Sequence, residues 1–376
     1  MSEFAAGPAG RIERVRALMV ERGYDAIVVR DEANLRWLTG VKGVFDYTFE
    51  FPHAAFITAD QCLFHTDSRY LNSFEENTSA GSPWVYDMDE GTIPGWVAGK
   101  IAANKCRVCA VEDDMQINFY QGIQRGLEDR SVACMLPLMH DDIRKMRAIK
   151  DAEEIELMRH AQSITDAAFQ HMLGFIKPGM TEKQVRNELE NFMFANGADS
   201  LAFGSIVASG PNTANPHAVP SDRVIEKGDF VLMDYGAGYC DYRSDMTRTV
   251  VMGEPTQEQL DLYALVRRTH EECVAAIHPG VEGNDIFKLS KKIIGDAGYG
   301  DFYNHGLGHG VGIDIHELPN FNRSKNIIEV GSVVTMEPGV YLPGVGGVRL
   351  EDYGVVTENG YEPFTKTPHD LHVIDC

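Results

Sequence analysis

Residues 226–251, EKGDFVLMDYGAGYCDYRSDMTRTVV, decide how this chain folds. FVLMD is apolar and β-branched and ends on Asp234; after a turn, YRSDMTRTVV returns as a second strand carrying Asp245. The pattern recurs downstream, where EVGSVVTMEPG (329–339) ends its strand on Glu337 and GGVRLEDYGVV (346–356) returns with Glu351. At an offset of 103, Glu226 falls on Glu329, Gly228 on Gly331, Met233 on Met336, Asp234 on Glu337 and Gly236 on Gly339. Upstream, IKPGMTEKQVRNELENFMFANGA (176–198) matches IHPGVEGNDIFKLSKKIIGDAGY (277–299) at an offset of 101, each a PG followed by an amphipathic helix that closes on glycine. HAVP at 217–220 falls on HELP at 316–319 at an offset of 99, which pairs His217 with His316. Matches in one order at a nearly constant offset predict two similar halves packed face to face.

The remainder of the chain predicts a second domain. At 376 residues the sequence exceeds one usual hydrophobic core. Its first ~140 residues alternate helical and strand-like pieces, with a helix in RIERVRALMVERG that Gly23 should end and strand-like YDAIVV, NLRWLTG, HAAFITADQCLFHTD and RVCAVE. Asp151 and Glu154 form a capping box, followed by Ile155, Met158, Ala161 and Ile164 at helical spacing. The boundary is expected between residues 138 and 150, giving domains 1–140 and 141–376 of an α/β (α+β) protein.

Composition narrows the partners. The 34 Lys and Arg against 56 Asp and Glu give a net charge of −22, which repels nucleic acid and anionic membranes. No segment reads as a signal peptide or approaches membrane-spanning length. The seven cysteines are odd in number and scattered, so a cytoplasmic setting is expected. Cys106 and Cys109 form a CxxC, but the strand-like alternation around them points the thiols to opposite faces, against a redox or zinc role.

Each half thus offers two carboxylates on neighbouring antiparallel strands, Asp234 with Asp245 and Glu337 with Glu351. Four carboxylates converging on one cavity cannot all stay ionised without a cation, because desolvation and mutual repulsion force protonation. A pair of divalent ions resolves this, and one histidine completes the set. The oxygen-rich donors favour Mn²⁺, with Co²⁺, Fe²⁺ or Zn²⁺ also suited. Arg349, two residues before Glu351 and on the same strand face, is placed to hold ligand carboxylates in position. NHGLGHGVGIDIHELP (304–319) concentrates three of the thirteen histidines, His305, His309 and His316, among glycines 306, 308, 310 and 312 that let backbone pass close by.

These motifs resemble the pita-bread metallopeptidases of the prolidase (Xaa-Pro dipeptidase) and aminopeptidase P group. MDYGAGYCDYRSDMTRTV, HGLGHGVGIDIHELP, MEPGVY and GVRLEDYGVV meet the group's ordered Asp, Asp, His, Glu, Glu ligands with Asp234, Asp245, His309, Glu337 and Glu351. The resemblance implies a creatinase/prolidase-like N-terminal α/β domain followed by a pita-bread catalytic domain with an internal pseudo-two-fold repeat. It implies that Asp234 chelates one metal and His309 and Glu337 the other, with Asp245 and Glu351 bridging. His217, His305 and His316 would line the substrate site, and a homodimer is expected.

The expected reaction is metal-dependent hydrolysis of the bond preceding proline in an Xaa-Pro dipeptide or short proline-containing peptide. Glu337 would accept the water's proton and pass it to the leaving nitrogen, while His316 or His217 donates to the developing oxyanion. Alternatives are an Xaa-Pro aminopeptidase acting on longer peptides, a creatinase-type amidinohydrolase, and a non-catalytic binding module on the same fold. The complete ligand set speaks against the last two. In VFDYTFEFPHAAFI, Phe45, Tyr47, Phe49 and Phe51 alternate, and Tyr47 and Phe49 are expected to shape a wall of the substrate pocket.

Overall fold

A computed structural model of the chain describes residues 7–42, 52–88 and 91–376. The predicted pocket residues Tyr47 and Phe49 lie outside the described residues. The chain divides into two compact units, Met1–Arg147 and Ala148–Cys376. No helix among the described residues is long and apolar enough to cross a membrane.

The first unit is built on a five-stranded sheet of β1 (Ala26–Val29), β2 (Ala54–Thr58), β3 (Cys62–His65), β4 (Trp84–Asp87) and β5 (Cys109–Val111), in the order β4-β3-β2-β1-β5. Its helices are α1 (Gly7–Arg22), α2 (Glu32–Thr39), α3 (Leu71–Asn77), α4 (Ile93–Ala103), α5 (Ile117–Asp129) and α6 (Asp142–Ala148), whose last residue falls in the second unit. Gly23, at φ 71°, ends α1 as expected. NLRWLTG differs from expectation: it is helix α2, not strand. Asp31 caps its N-terminus by accepting from the Asn34 N–H, and Gly40 closes it in the left-handed conformation. Local start and stop signals therefore outweigh the apolar run. Cys106 precedes β5 rather than alternating within it, and both CxxC thiols are buried in one core. Burial raises both thiol pKa values, that of Cys106 to about 11, so neither offers a ready thiolate.

The second unit repeats one design. Its first half pairs α7 (Ala152–Phe175) and α8 (Glu182–Ala195) with a sheet that includes β7 (Ile206–Ser209), after the short β6 (Ser200–Leu201). The sheet continues through β8 (Phe230–Tyr235) to β11 (Met246–Met252), with β9 (Ala237–Tyr239) and β10 (Tyr242–Arg243) forming the turn between them. The second half pairs α9 (Gln257–Ala275) and α10 (Gly283–Asp296) with β12 (Gly308–Gly310), β13 (Glu317–Phe321), β14 (Val333–Met336), β17 (Asp352–Thr357) and β18 (Gly360–Pro363), in the order β13-β12-β14-β17-β18. A hairpin of β15 (Gly339–Leu342) and β16 (Gly346–Arg349) interrupts this half, and β19 (Val373–Ile374) returns to pair with β11.

The repeat is visible in the backbone itself. Gly228 and Gly331, aligned by the sequence, adopt φ 92° and 90° before β8 and β14, a conformation that favours glycine. Thr181 bridges Val224 in one half as Glu282 bridges Ile327 in the other. The capping box of Asp151 with Glu154 starts α7, whose Met158, Ala161 and Ile164 are buried at the expected spacing. One half's core joins α7 and α8 to Val231, Met233 and Met246, and the other's joins Ile286 and Phe287 to Val334 and Met336. Apolar inner positions thus lock each sheet under its helices and leave the polar strand ends to face the opposite half.

Candidate metal centre and active site

The strand ends deliver the carboxylates. Asp234 stands near the end of β8, paired with Thr247 on β11, and Asp245 immediately precedes β11, diagonally across on the same face. Glu337 follows β14, and Glu351 sits in the break between β16 and β17. Their strands are stitched across the halves: the Glu351 N–H donates to the Thr247 carbonyl at 3.1 Å, and the Thr247 hydroxyl donates to Glu351 Oε2 at 2.7 Å. His309 lies on β12, its ring Nδ1 2.9 Å from the Gly310 carbonyl. If Nδ1 carries the proton for that bond, Nε2 is left with a free lone pair. That Nε2 is 3.6 Å from Asp245 Oδ2 and 3.7 Å from Glu337 Oε1. Donor atoms of Asp245, His309 and Glu351 all lie within 4.8 Å of one another.

Close approach of backbone makes this possible. A Cβ on Gly308 would collide with the Thr335 carbonyl and one on Gly236 with the Ser244 carbonyl, so both positions require glycine.

The electrostatics are those of an unbalanced acid cluster. Burial raises the pKa of Asp234, against the pull of Arg349, and that of Glu337 to about 7. Asp245 and Glu351 are pushed well above the usual carboxylate range by burial and then by their acidic neighbours. Arg349 is the buried cation of the cluster: Nη2 donates to Asp234 Oδ2 at 2.5 Å, Nε to the Thr247 hydroxyl at 3.0 Å and Nη1 to the Tyr341 hydroxyl at 2.9 Å. Tyr341 in turn meets His305 Nε2 at 2.9 Å.

All nine side chains named from the sequence that fall in the second unit line one cavity of about 420 Å³: His217, Asp234, Asp245, His305, His309, His316, Glu337, Arg349 and Glu351. His217 and His316 are exposed at the cavity, and the His316 ring stands edge-on to that of His309 with centroids 4.3 Å apart. Residues not foreseen complete the surroundings. Phe203, Ile206 and Ile315 give an apolar wall, Asn320 and Asn322 add carboxamides, Thr247 donates to Glu351, and Tyr341 accepts from Arg349. Thr247 had a signal, two residues after Asp245 on one strand face; Tyr341 and the apolar wall had none.

The sequence comparisons name the fold. Metallopeptidase family M24 matches residues 156–358, and the Creatinase/Prolidase N-terminal domain matches residues 11–149. The chain belongs to metallopeptidase family M24. An uncharacterized peptidase of Bacillus subtilis, YqhT, is 36% identical over 97% of this chain and 100% of its own. The Xaa-Pro dipeptidase of Pyrococcus furiosus is 42% identical over 61% of this chain and 67% of its own. Among solved structures, an Xaa-Pro dipeptidase from Bacillus anthracis superposes with a TM-score of 0.89 at 35% identity, covering 98% of this chain and 100% of that one. An X-Pro aminopeptidase from Thermotoga maritima gives 0.85 at 30% identity, covering 97% and 100%. This M24 protein is therefore a prolidase-type metallopeptidase with a creatinase-type N-terminal domain and a pita-bread catalytic domain.

Divalent metal use is general to the family, and the residues here fit it. Asp234 Oδ1 is buried with no hydrogen-bond partner among the described residues, and four acids, three of them buried, share Arg349. A cation held there would supply the missing charge and the missing partner.

A second buried cluster in this M24 peptidase has ligand-type residues but a different balance. His270, Asp352 and His369 converge behind Glu351. There Arg248 Nη2 donates to Asp352 Oδ1 at 2.7 Å and His369 Nε2 meets Oδ2 at 2.6 Å. Arg248 also donates to the carbonyls of Glu351 and Thr367 at 2.6 and 2.7 Å. With its carboxylate already neutralised, this group is an ionic brace between β11 and β17.

Proposed function

We propose that this M24 peptidase hydrolyses the peptide bond preceding proline, with Xaa-Pro dipeptides as the substrate class, in the manner of the Xaa-Pro dipeptidases it is similar to. The observation that carries this reading is the single cavity in which Asp234, Asp245, His309, Glu337 and Glu351 meet three further histidines and an apolar wall. Those five residues would hold two divalent ions, Mn²⁺ by the oxygen-rich character of the set. When bound, such a pair supplies a nucleophilic water at neutral pH and polarises the scissile carbonyl.

The chain's own residues do the rest. Glu337 takes the water's proton and passes it to the leaving proline nitrogen, which as a tertiary amide nitrogen carries no hydrogen of its own. His316 and His217 face the cavity and donate to the developing oxyanion, a contribution of about 3 kcal/mol per donor. His305, tied to Tyr341, borders the substrate and keeps that hydroxyl turned to Arg349. Arg349 holds Asp234 against rotation. Phe203, Ile206 and Ile315 accept the pyrrolidine ring. The protein would act as a cytoplasmic homodimer.

Hydrolysis of Xaa-Pro dipeptides and Xaa-Pro-Yaa tripeptides after loading with Mn²⁺ tests the reading. Dipeptide cleavage supports it, preference for tripeptides moves the assignment to an Xaa-Pro aminopeptidase, and cleavage of neither sinks it.

A further inference from the structure

The turn that carries His316 is gripped from outside the cavity. Just after α6, Ile149 bridges Ser332, and the Lys150 N–H donates to the Gly331 carbonyl at 2.9 Å. From this anchored backbone Lys150 Nζ reaches Glu317 Oε2 at 3.0 Å, with side chains only 1% and 5% exposed. Glu317 is the neighbour of His316 in sequence. Its other oxygen accepts the Asp314 N–H at 3.1 Å, and its carboxylate lies so close to Gly312 that a Cβ there would stand 2.5 Å from Oε1. The carboxylate therefore fills the inside of the 312–317 turn. On the other side, the Arg243 N–H donates to the Gly312 carbonyl at 2.9 Å and its Nε to the Ile313 carbonyl at 2.8 Å, while Nη1 donates to Leu201 at 2.8 Å.

His316 itself is exposed on the cavity side, and its ring touches His309 only edge-on. An exposed imidazole on a glycine-containing turn does not hold one position by packing. A hydrogen-bond donor to a developing charge has to be held within about 0.5 Å of its productive place. A buried ion pair, for its part, adds little net stability over an apolar pair of similar size. What the Lys150–Glu317 pair does supply is a fixed shape for the turn.

We propose that Lys150 is a positioning residue for His316: the buried Lys150–Glu317 pair sets the 312–317 turn so that the imidazole is presented to the substrate. This rests on the proposed proline-peptide hydrolysis. Lys150 acts through Glu317 and touches neither the substrate cavity nor the acids within it.

The test is a double-mutant cycle with His316→Ala, read as kcat and KM on an Xaa-Pro dipeptide, together with hydrogen exchange of the 312–317 amides. Lys150→Met takes the lysine charge from a buried carboxylate and endangers the fold, so Lys150→Met/Glu317→Gln, which removes both charges, is measured beside it. With His316 present, the pair of substitutions lowers kcat/KM by about 10- to 100-fold, the range for supporting residues of such sites. In the His316→Ala background it lowers kcat/KM by no more than about twofold, because the group being positioned is gone. Exchange rises in 312–317 and is unchanged in the helices. An equal loss with and without His316 overturns the proposal in favour of a purely structural pair, as does unchanged exchange in the turn. Should the wild-type protein cleave no proline peptide, the functional reading fails first, and the exchange result still decides whether Lys150 orders the turn.

Discussion

Two buried clusters lie back to back around Glu351 and Asp352, consecutive residues that meet opposite fates. Glu351 joins three other acids that share Arg349, and its carboxyl is pushed far up by burial and by Asp245, Glu337 and Asp234. Asp352 is as deeply buried, yet Arg248 and His369 outweigh that burial and hold its carboxyl well below the usual range. Similar residue types at similar spacing thus give a site that needs a cation and a brace that has one. Charge balance, not the presence of His and Asp in a group, separates the two.

The largest effect that sharpens this contrast comes from the acids. Asp245→Ala removes one of the proposed metal donors, and loss of metal and of kcat/KM should exceed the roughly 100-fold expected for a supporting contact. Elemental analysis beside dipeptide kinetics checks it; metal retained at full occupancy would break the assignment. Next, Arg248→Met takes the permanent cation from the buried Asp352 carboxylate and leaves it only histidines, and the fold should lose about 3–5 kcal/mol in denaturant unfolding. Arg248→Met/Asp352→Asn should recover much of that loss. Arg349→Lys, which cannot reproduce donation from three nitrogens to Asp234, Thr247 and Tyr341, should weaken metal affinity or activity by about 10- to 100-fold while leaving unfolding little changed.

The smallest effect is the pH dependence, and it has opposite signs in the two clusters. In the metal-free protein Glu337 has a folded pKa of about 7 against 4.5, so the folded state binds more protons between those values. Its contribution is complete below pH ~4.5 and is lost as pH rises through 7. His270 is depressed from 6.5 to about 4 by burial, so its contribution is complete above 6.5 and is lost as pH falls toward 4. Each amounts to a few kcal/mol at most. Thermal unfolding of chelator-treated protein from pH 4 to 8 should show Glu337→Gln flattening the alkaline side and His270→Leu the acid side; the reverse assignment would contradict the charge argument.

Much of this was legible in the sequence because it depends on period and position. Asp234 and Glu337 could be placed at strand ends since FVLMD and SVVTME read as strands, and the glycine pairs 228 and 331 marked the repeat. The brace was not legible: His270 and His369 come from α9 and a late loop, with no spacing that ties them to Asp352. Tyr341 and the apolar wall were missed for the same reason, since the β15–β16 hairpin and residues 203–206 reach the cavity only through tertiary packing. NLRWLTG has the apolar content of a strand, but the Asp31 cap and the Gly40 stop make it a helix. The Lys150–Glu317 pair spans 167 residues and could not be inferred from local pattern.

The most direct measurement is the metal content of the purified protein after Mn²⁺ loading and removal of free ion, taken together with turnover of an Xaa-Pro dipeptide by the same sample. About two ions per chain with dipeptide cleavage is the predicted result. A chain that binds none and cleaves nothing would contradict the reading of Asp234, Asp245, His309, Glu337 and Glu351 as one metal centre.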